Sequence, residues 1–144
     1  MTVTSERPTF NSRPITFNPE ISKRKLSEFW KGLENEKVYA SKCRKCGNLS
    51  FPPVADCSTC LSSELEWIEI EGDGEIETFT EIMIRPKSFA EHPQYTVAVA
   101  KMKEGVKVLA WVTDPEHCKP KIGAKVRLIT KKTETGTTYA FTLL

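Results

Sequence analysis

The spacing of hydrophobic positions changes along this chain. Between residues 22 and 36, Leu26, Phe29, Trp30 and Leu33 recur at i, i+3, i+4 and i+7, the stripe of a helix that buries one face. Ser22, after Pro19-Glu20, suits an N-cap. Gly32 costs such a helix about 1 kcal/mol relative to alanine, so the stripe must be packed for the helix to persist. From residue 67 the period becomes two. Ile68 and Ile70 alternate with Glu69 and Glu71, and a turn is expected at Gly72-Asp73-Gly74. Ile76, Ile82 and Ile84 are expected to share a face with Thr78 and Thr80. Val97 and Val99, then Val106, Val108, Ala110 and Val112, follow on either side of a Lys103-Glu104-Gly105 turn. Asp114-Pro115 breaks the pattern, Val126 and Leu128 resume it, and Tyr139, Phe141 and Leu143 close it after a turn at residues 134–136.

Five or six strands within residues 67–144, with no helical spacing between them, predict a small antiparallel domain. An OB-type barrel is the natural closure, because closure hides strand edges, and an open sandwich is the alternative. Residues 1–20 differ again. Pro8, Pro14 and Pro19 are spread among Ser, Thr and Asn, and Phe10, Ile15 and Phe17 follow no period, which reads as an extended arm. The expected organisation is an arm and helix over residues 1–37, a cysteine-bearing segment over 38–66, and a barrel over 67–144. The fold class is therefore mainly β with an N-terminal helix.

The middle segment carries the chemistry. Cys43, Cys46, Cys57 and Cys60 form C-x2-C-x10-C-x2-C. Each C-x2-C hooks around an ion so that both sulfurs face it, and two hooks complete the tetrahedral shell that zinc prefers. Gly47, directly after the first hook, suits a left-handed turn residue. Four thiolates also accommodate iron, and the spacing does not separate the two metals. A shell filled by four sulfurs leaves no position for water or substrate, so the metal is structural. The fifth cysteine, Cys118, follows His117, but neighbours on an extended segment point apart and no orienting acid is evident. His92 reads as a loop residue. Phosphate-loop, nucleophile-elbow, H-E-x-x-H and dinucleotide motifs are absent. The chain does not read as an enzyme.

Composition narrows the setting. Hydrophobic residues are 39% and charged residues 28% of 144, which predicts a folded globular chain. No apolar run is long enough to span a membrane, and the N-terminus has no export-signal core, so a cytoplasmic location with reduced thiols is expected. The formal net charge of +2 argues against a dedicated nucleic-acid binder. It hides an uneven layout. Eight acids and no base occur from Glu64 to Ile84, and six bases and no acid from Lys119 to Lys132, which reads as two opposed patches.

The order of these features matches a known group. Phe29-Trp30-x-Gly32-Leu33, Cys43-x-x-Cys46-Gly47, Phe51-Pro52-Pro53, Cys57-x-x-Cys60, Gly72-Asp73-Gly74 and Ile122-Gly123-x-x-Val126 together resemble domain-of-unknown-function family thirty-five. The resemblance covers roughly residues 22–143. It implies a rubredoxin-like zinc ribbon followed by an OB-fold. It also implies a non-catalytic, acyl-CoA-binding subunit that docks on a thiolase-like or hydroxymethylglutaryl-CoA synthase-like protein. No CoA contact is carried over by motif. Local chemistry, cations for phosphates and aromatic surface for adenine and pantetheine, singles out Phe29, Trp30, Arg85, Lys87, Phe89 and Trp111. A zinc-ribbon and OB-fold module for single-stranded nucleic acid is the alternative function.

Overall fold

A computed structural model describes residues 24–91, 93–113, 119–134 and 136–144. The expected arm, the Ser22 cap, His92, His117 and Cys118 lie outside the described residues. A single 3-10 turn (Arg24–Leu26) leads into α1 (Ser27–Glu34). Strands follow as β1 (Val38–Cys43), β2 (Leu49–Ser50), β3 (Leu65–Ile70), β4 (Asp73–Ile82), β5 (Tyr95–Met102), β6 (Lys107–Val112), β7 (Lys125–Thr133) and β8 (Gly136–Leu143).

The α1 stripe behaves as its spacing predicts, with Phe29, Gly32 and Leu33 buried. The helix stops at a left-handed residue, Glu36 (φ 61°), with Lys37 N–H bonding the Gly32 carbonyl at 2.8 Å and Glu36 N–H the Leu33 carbonyl at 3.2 Å. Gly32 has a packing reason. A Cβ there would stand 2.5 Å from Cδ2 of Tyr39, so only glycine lets β1 lie this close to the helix.

The strands form two sheets, one ordered β2-β1-β3 and the other a closed barrel β4-β5-β6-β8-β7. The barrel rules out the open sandwich. β3 pairs with β1 along its whole length, from Cys43 opposite Leu65 to Val38 opposite Ile70. β3 thus spans residue 67 while pairing with the ribbon strand β1, and the barrel ladder begins at Asp73 in β4. Alternation predicts a strand here but not which sheet it joins.

The expected common face of Ile76, Ile82 and Ile84 does not form. Ile76 pairs with Ala100 and Thr78 with Val99, a bulge at Glu77 that reverses which side chains point inward. Ile76 is buried, whereas Thr78 and Thr80 are exposed and Ile84, beyond the strand end, is 93% exposed. The barrel core is Ile76, Ala98, Ala100, Met102, Val106, Val108, Ala110, Val112, Val126, Leu128 and Phe141. Val38, Ala40 and Ile70 of the ribbon join the same core with Phe29 and Leu33 of α1. One continuous apolar interior therefore joins helix, ribbon and barrel.

The two charge runs are not opposed patches. Register places Asp73 opposite Arg127 and Glu75 opposite Lys125 across β4 and β7. Asp73 pairs with Arg127 at 3.0 Å and with Lys103 at 2.8 Å, Glu75 with Lys125 at 2.6 Å, and Glu77 with Lys107 at 2.7 Å. Much of the acidic run is neutralised by cations distant in sequence.

Candidate metal centre and ligand surfaces

Each cysteine pair sits on the same backbone turn. In the first, Gly47 N–H bonds the Cys43 carbonyl at 2.8 Å and Cys43 N–H the Asn48 carbonyl at 2.9 Å. In the second, Leu61 N–H bonds the Cys57 carbonyl at 2.9 Å and Cys57 N–H the Ser62 carbonyl at 2.9 Å. The residue after each hook is left-handed, Gly47 at φ 76° and Leu61 at φ 59°. Glycine takes that conformation freely; leucine pays for its Cβ. Sequence reasoning found the first of these positions through its glycine and had no signal for the second.

The hooks face one another. All four sulfurs lie within 4.8 Å of each other, with Cys43 to Cys60 and Cys46 to Cys57 both at 3.5 Å. A tetrahedron of sulfurs 2.3 Å from a zinc ion has edges of about 3.8 Å, so the arrangement fits a bound ion closely. The backbone already favours charge on two sulfurs. N–H groups of Cys60 and Thr59 hold the Cys57 thiol down to about 6. N–H groups of Cys46 and Lys45 hold Cys43 below its ordinary value. Cys46 is exposed as a residue and its sulfur receives the Asn48 N–H, but desolvation of that sulfur and the three neighbouring thiols push it up to about 12. Four crowded thiols cannot all ionise without a cation among them, and a cation supplies what the cluster lacks. The cluster is built to hold a metal.

The six residues singled out for a ligand fall into two groups. Phe29 is buried and forms edge contacts with Trp30 (5.3 Å), Phe51 (6.1 Å) and Tyr139 (6.3 Å). Trp30, Pro52, Pro53 and Tyr139 line a cavity of about 300 Å³ beside it. Burial raises the Tyr139 phenol above its ordinary value. Phe89 and Trp111 belong to a second cluster, 6.0 Å apart, with Tyr95 stacked on Trp111 at 4.5 Å and 11°. Arg85 and Lys87 stand in the connection that carries Phe89. Tyr95 and Tyr139 escaped sequence reasoning because cross-strand register, not local pattern, brings them to these clusters. A larger hollow of about 520 Å³ between β4, β5 and β7 is walled by ion-paired Asp73, Glu75, Lys103 and Lys125.

Comparison with known proteins agrees with this architecture. Residues 30–66 match the family model described as ChsH2, rubredoxin-like zinc ribbon domain, and residues 67–131 match ChsH2, C-terminal OB-fold domain. A "DUF35 domain-containing scaffold protein" of Pyrococcus furiosus is 32% identical over 108 residues, 74% of this chain and 79% of that protein. The chain belongs to the DUF35 family.

Among other relatives, the "Benzoylsuccinyl-CoA thiolase subunit BbsA" of Geobacter metallireducens is 32% identical over 79 residues, covering 55% of this chain and 51% of that one. The solved structure described as "Ltp2-ChsH2(DUF35) aldolase" superposes with a TM-score of 0.71 at 22% identity, over 88% of this chain and 98% of that chain. That likeness shows the DUF35 fold. Among the described residues, no helix is long and apolar enough to cross a membrane.

Proposed function

We propose that this DUF35 chain is a non-catalytic subunit of an acyl-CoA-processing complex, docking on a thiolase-like or hydroxymethylglutaryl-CoA synthase-like enzyme. The observation that carries this reading is the closed four-sulfur cluster, which has the chemistry of a structural ion and leaves no coordination position for a reacting group. Relatives named as a scaffold protein and as a thiolase subunit support the same role. The metal is zinc, bound by Cys43, Cys46, Cys57 and Cys60, which the ribbon's family description supports over iron. Acyl-CoA is the ligand, and the chain works in the cytoplasm, where thiols stay reduced. The cavity beside Phe29 and Trp30 has apolar walls suited to an acyl or pantetheine arm, and Arg85, Lys87, Phe89 and Trp111 offer cations and aromatic surface.

The test joins three measurements on the purified chain. Elemental analysis is expected to find one zinc per chain and a colourless protein; iron in its place overturns the metal assignment. Titration calorimetry with CoA thioesters, alone and with any thiolase-like enzyme that this chain captures from native extract, is expected to show binding. Absence of heat in both arms removes acyl-CoA from the reading. Salt-dependent binding of single-stranded DNA without enzyme binding supports the nucleic-acid module instead.

A further inference from the structure

Successive side chains of a strand point to opposite faces, so a cavity touched by three successive strand residues meets that strand along its edge. Thr137, Thr138 and Tyr139 of β8 all line the cavity beside Phe29 and Trp30. No described β7 residue lines it, so the edge exposed there is the one turned away from β7. On that side the ladder with β6 is short. It holds Trp111 with Ala140 and Val112 with Phe141, and the Phe141 carbonyl accepts the Thr113 N–H at 2.7 Å. Neighbouring residues of a strand turn their N–H and C=O to alternate sides. Phe141, Tyr139 and Thr137 thus aim theirs toward β6, whose pairing with β8 begins only at Ala140. Among the described residues, the Tyr139 N–H and the Thr137 N–H and C=O have no ladder partner.

These three groups choose the occupant. The cavity measures about 300 Å³, the size of a small-molecule site, and a folded surface, a second copy included, does not enter it. Its opposite wall is Phe29, Trp30, Pro52 and Pro53, and the prolines carry no backbone N–H, so β8 is the side that offers backbone hydrogen bonds. A bare acyl chain suits the apolar wall but leaves the backbone groups of Thr137 and Tyr139 unpaired as it displaces water from them. An added peptide strand of ordinary length, about five or six residues, overruns the edge. Three residues give about 10 Å, closed at one end by the β6 ladder and at the other by the turn into β7. What fits is a short extended chain carrying amides, and the pantetheine arm of a CoA thioester has two of them separated by two methylenes. Resting on the acyl-CoA reading above, we infer that the open edge of β8, from Thr137 to Tyr139, seats the pantetheine amides as a peptide-like half-strand, with Phe29, Trp30 and the two prolines covering the chain.

The experiment compares S-octanoylpantetheine with S-octanoylmercaptoethanol, which share the thioester and acyl chain and differ in the amides. In hydrogen exchange on the full metal-loaded chain, the pantetheine thioester is expected to slow exchange at the Thr137 and Tyr139 amides at least about fivefold, and the mercaptoethanol thioester less than about twofold. Thr137→Pro removes an N–H aimed at the cavity and leaves the β7 ladder whole. By calorimetry it is expected to weaken the pantetheine thioester about five- to tenfold and the mercaptoethanol thioester less than about twofold. The exchange comparison uses wild type, so it decides the matter whether or not Thr137→Pro folds. Equal protection by both probes, or protection that bypasses Thr137 and Tyr139, overturns the inference while acyl-CoA binding stands. Full protection of both amides in the unliganded chain assigns the edge to the protein itself and also overturns it. Wild type that binds octanoyl-CoA neither alone nor with a captured enzyme removes the acyl-CoA reading, and this inference with it.

Discussion

The ribbon and the barrel of this DUF35 chain solve the same problem by different means. The barrel surrounds Phe141, Val108, Val126 and Ile76 with side chains from all five of its strands. At the cysteine end of the ribbon, residues 44–47, 58, 59 and 61 are exposed, and the buried groups there are Cys43 and Cys57 themselves. An apolar core spreads its stabilisation over many contacts, and losing one leaves the rest. An ion concentrates it at one point. The contrast teaches where each part is fragile.

Metal loss is expected to break the comparison most sharply. Structural zinc contributes roughly 10–16 kcal/mol of apparent binding energy in small ribbons. Cys57→Ser, or chelation of the wild type, should therefore abolish amide protection across residues 43–65 while β4–β8 stay protected in hydrogen exchange. Uniform protection without metal would mean the ribbon has a second source of stability. The barrel's counterpart is Phe141→Ala, expected to cost about 3–5 kcal/mol in urea unfolding while the folded fraction keeps its metal.

Smaller changes sharpen the picture at the joints. Gly32→Ala adds helix propensity worth about 1 kcal/mol, yet its Cβ would collide with Tyr39, whose ring also meets Trp67. A net loss of about 1–2 kcal/mol is expected, opposite in sign to propensity. Leu61→Gly relaxes the left-handed residue of the second hook and removes an 82% exposed side chain, so a gain of about 0.5–1 kcal/mol is expected. The smallest effect is electrostatic. Hydrogen bonds from Lys103 and Arg127 hold the Asp73 carboxyl below its ordinary 3.8. A carboxylate depressed in the folded state contributes stability above its unfolded value and loses it as pH falls through the folded one. Asp73→Asn should thus flatten the decline of barrel stability below about pH 4, with little change in slope above it.

Local spacing made the helix, the cysteine hooks and the presence of the strands from residue 67 onward legible, because those features depend on neighbours three, four or two residues apart. Pairing across long loops was not legible. β3 reads like a barrel strand because Ile68 and Ile70 alternate equally well in either sheet. The acidic and basic runs look separate until register brings Asp73 to Arg127. The bulge at Glu77 turns Thr78 and Thr80 outward with no glycine to announce it. The candidate site divides in the same way. The four cysteines stand in one short segment, whereas Tyr95 reaches Trp111 through a ladder that no single strand encodes.

The barrel closes where β6 runs parallel to β8, and that junction holds two register pairs, Trp111 with Ala140 and Val112 with Phe141, against eight along β7 and β8. Thr113 reinforces it through its N–H and hydroxyl, both bonded to the Phe141 carbonyl at 2.7 and 3.0 Å. The ring therefore has a clasp, and Trp111, whose indole lies on the outer surface, is part of it. With so few pairs along this seam, the barrel's closure rests on the last residues of β6 and their partners on β8, and losing either set would reopen a sheet edge.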